Sequence, residues 1–198
     1  MKLLIATKNE NKFREMRHKL SGFDFELVSL DDFKNVPDVE EDRETFKDNA
    51  IKKAQFYASK YEMLALADDS GLEIDYLAGM PGVRSKRFAS TDRDRINKVL
   101  RLMKSAQSDN RNSTFICAIS ISDPKGKTFD TIGTCKGIIA EKPKGTNGFG
   151  YDPIFYLPEL QKTMAELSLK EKNRISHRAK AIENVVGFFS KEGLKYFQ

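Results

Sequence analysis

The stretch LALADDSGLEIDYLAGMPGV, residues 64–83, decides how the rest of the chain is interpreted. Its apolar start, residues 64–67, has the length of a buried strand. The next four residues, 68–71, read DDSG, and such residues favour a turn over a continued strand. Alternating apolar residues at 72–76 then predict a second short strand. The sequence therefore predicts strand, turn and strand, with two adjacent carboxylates at the turn.

The adjacent carboxylates, Asp68 and Asp69, are the feature that needs a chemical explanation. Successive strand residues point to opposite faces, so the pair acts together only if the chain turns there. Crowded carboxylates raise each other's pKa unless a cation lies among them. Mg²⁺, held by one or two carboxylates and by substrate phosphates, would relieve that repulsion. The alternative is an Asx turn without further function.

Length and composition indicate one globular domain. The chain has 198 residues, enough for one domain with one or two lobes. No segment has 18 consecutive apolar residues, and the N-terminal residues do not resemble a secretory signal, so we expect a cytoplasmic protein without a membrane span. Cys117 and Cys135 lie in apolar segments and are interpreted as reduced core thiols. Two histidines argue against a zinc site.

The net charge of +5 is mild, and basic residues are mixed with acidic ones. This pattern favours a small anionic ligand and gives no reason to expect nucleic acid as a partner.

A polar loop follows the first predicted strand, residues 2–6, and precedes a helix. Thr7, Asn9 and Lys12 supply hydroxyl, amide and ammonium donors at the positive end of that helix. The loop matches neither a Walker A nor a GxGxxG motif. The alternative is an ordinary helix start with Asn11 as its cap.

Two later segments carry charges that could meet the same ligand. The acidic run at 31–42 is followed by a predicted helix at 45–61, on which Asn49 and Lys53 share a face. Taken alone, the acidic run is typical of a solvated loop and Lys53 of a surface lysine.

A glycine-rich loop, residues 141–152, follows a predicted hairpin of strands at 114–122 and 128–140. Phe149 lies between two glycines, where a nucleobase could stack on it for about 1–3 kcal/mol. The alternative is a hairpin whose aromatic residues turn inward. Ser176 is predicted to cap the last helix, which places His177 at an anion-favouring helix start.

Four motifs occur together in one order: TKNENK at 7–12, ADDSGLEIDYLAGMPGV at 67–83, GFGYDPIF at 148–155 and SHRAKA at 176–181. In this combination the chain resembles the Ham1/inosine triphosphate pyrophosphatase family, over residues 2–189. The resemblance implies an α/β fold with an elongated, curved mixed sheet flanked by helices. It implies a single two-lobed domain, residues 1–198, with the active-site cleft between the lobes.

The resemblance also implies Mg²⁺-dependent hydrolysis of ITP, dITP and XTP to the monophosphate and pyrophosphate, by a homodimer. Asp69 matches the proton acceptor, Glu40 and Asp69 match the metal and catalytic carboxylates, and Lys53 matches a phosphate-binding lysine of the long helix. With its neighbour Asp68, these residues are the predicted catalytic set. The residues that match substrate contacts are Thr7, Lys8, Asn9, Glu10, Asn11, Lys12, Ser70, Phe149, Gly150, Tyr151, Asp152, Lys172, His177 and Arg178.

Two residues depart from the family pattern. Lys8 and Arg43 stand where many members carry glycine, so the first loop carries an extra charge and the metal carboxylate is either Glu40 or Glu41. A donor-only side chain such as Arg178 would favour purines with a 6-keto oxygen.

Two other functional classes fit the sequence less well. A nucleotide-binding module without chemistry would leave the acidic clusters repelling phosphates. A haloacid-dehalogenase-type phosphatase would need DxDx[TV] after its first strand, which the sequence lacks.

Overall fold

A computed structural model describes residues 1–191 and 193–197, and over these residues it contains a seven-stranded sheet with helices. The strands are β1 (Lys2–Ile5), β2 (Glu26–Ser29), β3 (Leu64–Ile74), β4 (Asn112–Ser122), β5 (Thr128–Ile139), β6 (Phe155–Leu157) and β7 (Lys162–Thr163). The α-helices are α1 (Glu10–Leu20), α2 (Phe46–Tyr61), α3 (Asp92–Leu102), α4 (Leu169–Ile175) and α5 (His177–Lys191).

The sheet is mixed, as predicted. Its strand order is β2-β1-β3-β4-β5-β6-β7. Strand β1 pairs in parallel with β2 and β3, whereas β6 pairs antiparallel with β5 and β7. The predicted hairpin is confirmed as β4 and β5, which are neighbours joined by a turn in which Gly126 N donates to Asp123 O at 3.1 Å.

The chain divides into two compact units. The first contains residues 1–69, 117–133 and 178–198, and the second contains residues 70–116 and 134–177. The boundary within β3 falls between Asp69 and Ser70.

The first unit buries both faces of its parallel strands. Leu3 and Ile5 of β1 join a cluster with α1 and α5, while Leu4 joins a second cluster with Ala54 and Ala58 of α2. Parallel strands covered on both faces need apolar residues at consecutive positions, which explains the unbroken apolar run in β1.

The prediction of a turn at residues 68–71 is wrong. Strand β3 runs without interruption from Leu64 to Ile74. The DDSG segment stays extended because its carboxylates find partners on both sides of the strand and the apolar residues after it enter the core of the second unit. The two aspartates therefore point to opposite faces of β3.

Helix starts differ slightly from the prediction. Helix α1 is capped by Asn9, whose Oδ1 accepts from Lys12 N at 3.1 Å, so Asn11 is not the cap. Helix α2 begins after Thr45, whose hydroxyl accepts from Asp48 N at 3.0 Å.

The second unit has its own core, in which Leu72 and Ile74 of β3 pack with residues of α3, β5 and β6. Gly137 of β5 confirms the predicted close approach, since a Cβ there would lie 2.6 Å from Tyr156 O. The interpretation of Cys117 and Cys135 as core thiols is also confirmed, because both are buried thiols outside any disulfide. Among the described residues, no helix is both long and apolar enough to cross a bilayer.

Candidate active site

The polar loop between β1 and α1 lies at the N-terminus of α1, as the sequence predicted. Thr7 Oγ1 accepts from Asn9 N at 3.2 Å, which tightens the loop, and Glu10 and Asn11 form the first turn. Exposed N–H groups and the helix dipole favour an anion at this point.

Lys8 is the charged residue at the start of this loop. Its Nζ donates to Asp38 Oδ1 at 2.6 Å and to Val36 O at 3.3 Å, and the bond to Asp38 raises the lysine pKa. The extra charge noted in the sequence is thus directed at the acidic segment, in an exposed position where an ion pair contributes little.

Asp68 lies on the face of β3 that packs against α1 and α5. Its Oδ2 is 2.7 Å from Lys12 Nζ and 3.9 Å from Arg178 Nε, and its side chain is 1% exposed. Burial raises the pKa of this carboxyl, but Lys12 and Arg178 outweigh burial and hold it well below its usual range. Asp68 is therefore a fixed negative charge that holds two cations.

Asp69 lies on the other face of β3, towards α2. Its Oδ2 accepts from Asn49 Nδ2 at 3.0 Å. Burial raises its pKa to about 6; Lys53 opposes this rise, and Glu41 adds to it. A carboxylate with a pKa close to neutrality is suited to accept a proton.

Lys53 connects Asp69's face to the acidic segment. Its Nζ lies 2.6 Å from Glu41 Oε1 and also donates to the backbone carbonyl of Asp68. Burial opposes its charge, yet the carboxylates of Asp68, Asp69 and Glu41 outweigh burial, so its pKa is raised. Lys53, with its side chain 12% exposed, is a largely buried and charged cation and not a surface lysine.

The two candidate metal carboxylates, Glu40 and Glu41, differ in exposure and in their contacts. Glu40 is exposed, whereas the side chain of Glu41 is 24% exposed and contacts Lys53. Asn49 fixes this segment, because its Oδ1 accepts from Arg43 N at 3.0 Å while its amide holds Asp69. The predicted shared face of Asn49 and Lys53 is thus present, and it places Asp69 and Glu41 beside one buried lysine.

Arg178, at the second position of α5, is almost fully buried in the first unit. Its Nη1 donates to Glu15 Oε2 at 2.6 Å. Burial would lower the pKa of the guanidinium, but Glu15, Cys117 and Asp68 together outweigh burial and raise it. Glu15 was missed in the sequence, although it lies three residues after Lys12 on α1 and so shares a face with it.

The second unit holds the other predicted substrate residues. Asp152 Oδ2 accepts from Phe149 N at 2.9 Å and from Lys172 Nζ at 2.6 Å. Lys172 Nζ also lies 4.8 Å from the centre of the Phe149 ring. Gly148 has φ +77°, and a Cβ there would lie 2.0 Å from Asp152 Oδ2, so only glycine fits this turn.

The two aromatic residues of the loop differ in their surroundings. Tyr151 is buried, and its hydroxyl donates to Ser85 O at 2.9 Å, so it is a core residue as the inward alternative proposed. Phe149 is only half-buried. Gly150 N donates to Asp92 Oδ2 at 2.8 Å, a contact with no signal in the sequence.

Ser70 and His177 complete the predicted set. Ser70 is the half-buried first residue of the second unit, on β3. The ring of His177 is buried and stacks on Phe115, with 4.7 Å between ring centres. Within the two described ranges there is no group of three or more His, Cys, Asp or Glu side chains that could hold a metal ion by itself.

Comparison with known proteins identifies relatives over nearly the whole chain. The model of the Ham1 family matches residues 3–188. A dITP/XTP pyrophosphatase of Desulforamulus reducens is 46% identical over 189 residues, which cover 94% of each chain. A dITP/XTP pyrophosphatase of Geobacter sulfurreducens is 44% identical over 184 residues, 91% of this chain and 92% of that protein.

Solved structures of Ham1 proteins are also similar to this chain. A HAM1 protein from Coxiella burnetii has a TM-score of 0.90 at 40% identity and covers 96% of this chain and 99% of its own. The Staphylococcus aureus Ham1 protein has a TM-score of 0.88 at 38% identity, with 97% and 100% covered.

The two aspartates should affect stability with opposite dependence on pH. Asp69 has a folded-state pKa of about 6 against 3.8 when unperturbed, so its ionisation destabilises the folded state as pH rises from 4 to 6. In metal-free buffer, Asp69→Asn should raise the free energy of unfolding by about 1–3 kcal/mol at pH 7.5 and by little at pH 4.

Asp68→Asn is the matched control. The folded-state pKa of Asp68 is lowered, so its ionised form stabilises the fold above pH 4 and this contribution is lost in acid. This variant should be less stable than the parent at pH 7.5. Urea unfolding at both pH values measures the free energy of unfolding of each variant. Equal changes of this free energy in the two variants would contradict the opposite pKa shifts assigned to Asp68 and Asp69.

Proposed function

Because this chain belongs to the Ham1 family, we propose that it hydrolyses the noncanonical purine nucleoside triphosphates ITP, dITP and XTP to the monophosphate and pyrophosphate, and so removes them from the nucleotide pool. The observation that carries the proposal is Asp69, a buried carboxylate with a pKa of about 6 beside the buried cation Lys53. The relatives named dITP/XTP pyrophosphatase support this substrate class.

In the proposed reaction, Asp69 accepts the proton of the water that attacks the α-phosphorus, and pyrophosphate leaves. Asn49 Nδ2 donates to Oδ2 of this carboxylate at 3.0 Å, which orients the carboxylate for proton transfer. Lys53 and the N-terminus of α1 bind phosphate oxygens, because phosphoryl transfer depends mainly on positioning and charge neutralisation.

Mg²⁺ is the proposed cofactor, and the residues present fit it. Glu41 and Asp69 would supply carboxylate oxygens, and Mg²⁺ is commonly held by one or two carboxylates together with substrate phosphates and water. When bound, the ion would neutralise charge on the phosphates. The exposed Glu40 is the weaker candidate for this role, and Asp68 is already held by Lys12 and Arg178.

The base is proposed to stack on Phe149, with Lys172 and Asp152 fixing the loop beneath it. His177 and Arg178 remain the proposed readers of the 6-keto edge. The contacts with Glu15 and Asp68 orient Arg178, whose guanidinium carries donors only and therefore suits an acceptor such as a 6-keto oxygen.

A binding module without chemistry fits less well. A fold gains nothing from keeping a carboxylate with a raised pKa, since its ionisation costs stability at neutral pH. Such groups are typical of catalytic acids and bases.

The products test the function directly. The protein incubated with ITP and Mg²⁺ should release IMP and pyrophosphate, as resolved by ion-exchange chromatography. Asp69→Asn should lower kcat by at least about 10²-fold through loss of the base. Release of IDP and orthophosphate, or near-normal kcat in the variant, would refute attack at the α-phosphorus with Asp69 as base.

Lys53 and Lys52 form a matched pair for the phosphate site. Lys53 is buried against Glu41, whereas Lys52 makes a more exposed ion pair with Asp42 at 2.7 Å. Lys53→Ala should lower kcat/KM for ITP about 10²-fold or more, since a charged, desolvated contact is lost. Lys52→Ala should change it less than twofold. Equal, small effects would mean that Lys53 does not bind substrate.

We also propose that the protein is a homodimer, from the family resemblance alone, and that it is cytoplasmic, from the sequence pattern of its N-terminus and its thiols. Light scattering at micromolar concentration should give twice the chain mass of 22.5 kDa. A mass equal to that of one chain under these conditions would contradict the proposed homodimer.

A further inference from the structure

Two carboxylates hold consecutive backbone amides of the loop GFG, residues 148–150. Phe149 N donates to Asp152 Oδ2 at 2.9 Å, and Gly150 N donates to Asp92 Oδ2 at 2.8 Å. The glycines on either side of Phe149 have φ values of +77° and +64°, in the left-handed region that glycine reaches readily because it has no Cβ. The orientation of the Phe149 ring therefore depends on both carboxylates.

Asp92 is itself held in place. It is the first residue of α3, and its Oδ1 accepts from Arg95 Nη2 one turn further on. The same arginine donates from Nη1 to Lys86 O at 2.6 Å. Ile96 and Val99 anchor the helix in the core of the second unit.

The other end of α3 is held as well. Arg111 is buried and donates to Met103 O at 3.2 Å and to Ala106 O at 3.3 Å, just beyond the helix C-terminus. Its Nε donates to Ile139 O at 2.6 Å, which ties the helix end to β5. A cation at a helix C-terminus is also favoured by the dipole. Helix α3 is thus a rigid support for Asp92.

We propose that Asp92 is a positioning residue of the base site: through Gly150 it holds the GFG loop in the conformation that presents Phe149 to the purine. This inference rests on the proposed function. It assigns α3 a role in substrate binding that neither the motifs nor the site residues predicted from the sequence include.

The bond is charge-assisted, but the Asp92 side chain is 49% exposed, so its contribution is moderate. Loss of the carboxylate should raise KM for ITP about three- to tenfold. The change should appear in KM and not in kcat, because the residue acts on base binding and not on the attacked phosphorus.

The experiment compares Asp92→Ala, Asp92→Asn and the control Asp94→Ala. Asp94 lies in the same first turn of α3 but is paired with Thr91, so its removal weakens the helix start without touching the loop. KM and kcat are measured for ITP, and the inhibition constant is measured for inorganic tripolyphosphate, a probe without a base.

Asp92→Ala should raise KM for ITP, leave kcat within about twofold and leave inhibition by tripolyphosphate unchanged. Asp92→Asn should recover part of the loss, because the amide oxygen still accepts from Gly150 N. Asp94→Ala should match the parent. An unchanged KM in Asp92→Ala, an equal rise in Asp94→Ala, or an equal weakening of tripolyphosphate would overturn the proposal.

A binding measurement separates this inference from the proposed function. The chain contains no Trp, so Phe149→Trp introduces a single reporter whose fluorescence is quenched when IMP stacks on it. Adding Asp92→Ala to this variant should weaken IMP binding about three- to tenfold. If the parent releases no pyrophosphate from ITP, the proposed function fails, and the titration alone decides whether Asp92 positions the loop. Equal IMP affinity with and without Asp92 overturns the inference.

Discussion

The candidate active site depends on one constraint: Asp68 and Asp69 are neighbours on a strand that does not turn. A strand directs successive side chains to opposite faces, so the two carboxylates enter different surroundings although they are adjacent in the chain. One meets α1 and α5, and the other meets α2. Their different chemistry follows from this geometry and not from any difference between the residues themselves.

The surroundings set the two pKa values in opposite directions. On the first face, Lys12 and Arg178 surround Asp68 with positive charge, and Glu15 balances the arginine, so burial is outweighed and the carboxylate stays ionised. On the second face, Lys53 is shared with Glu41, and burial raises the pKa of Asp69 to about 6. The proposed hydrolysis would use both outcomes, since a fixed charge can hold cations in place and a carboxylate that titrates near neutrality is suited to accept a proton.

In the second unit, hydrogen bonds hold an aromatic ring in place on a glycine-rich loop. Glycine allows the turn at residue 148 to approach Asp152, but the same freedom would let the loop fluctuate. Hydrogen bonds from two consecutive amides to carboxylates restrict it, and Tyr151 anchors the loop in the core through Ser85. Phe149 is then half-buried on a loop held by hydrogen bonds, which suits a surface on which a flat base would stack.

The sequence by itself determined strands β1, β4 and β5, the long helix α2 and the residue types of the site, because apolar periodicity and capping residues act over a few positions. The shared face of Asn49 and Lys53 is such a local property. Only the tertiary structure decided that β3 continues through DDSG, that Glu41 and not Glu40 contacts Lys53, and that Tyr151 is a core residue. Glu15 and Asp92 escaped prediction for the same reason: each bonds a partner distant in the chain, at residues 178 and 150. Long-range contacts and burial set these outcomes, and neither has a local signal in the sequence.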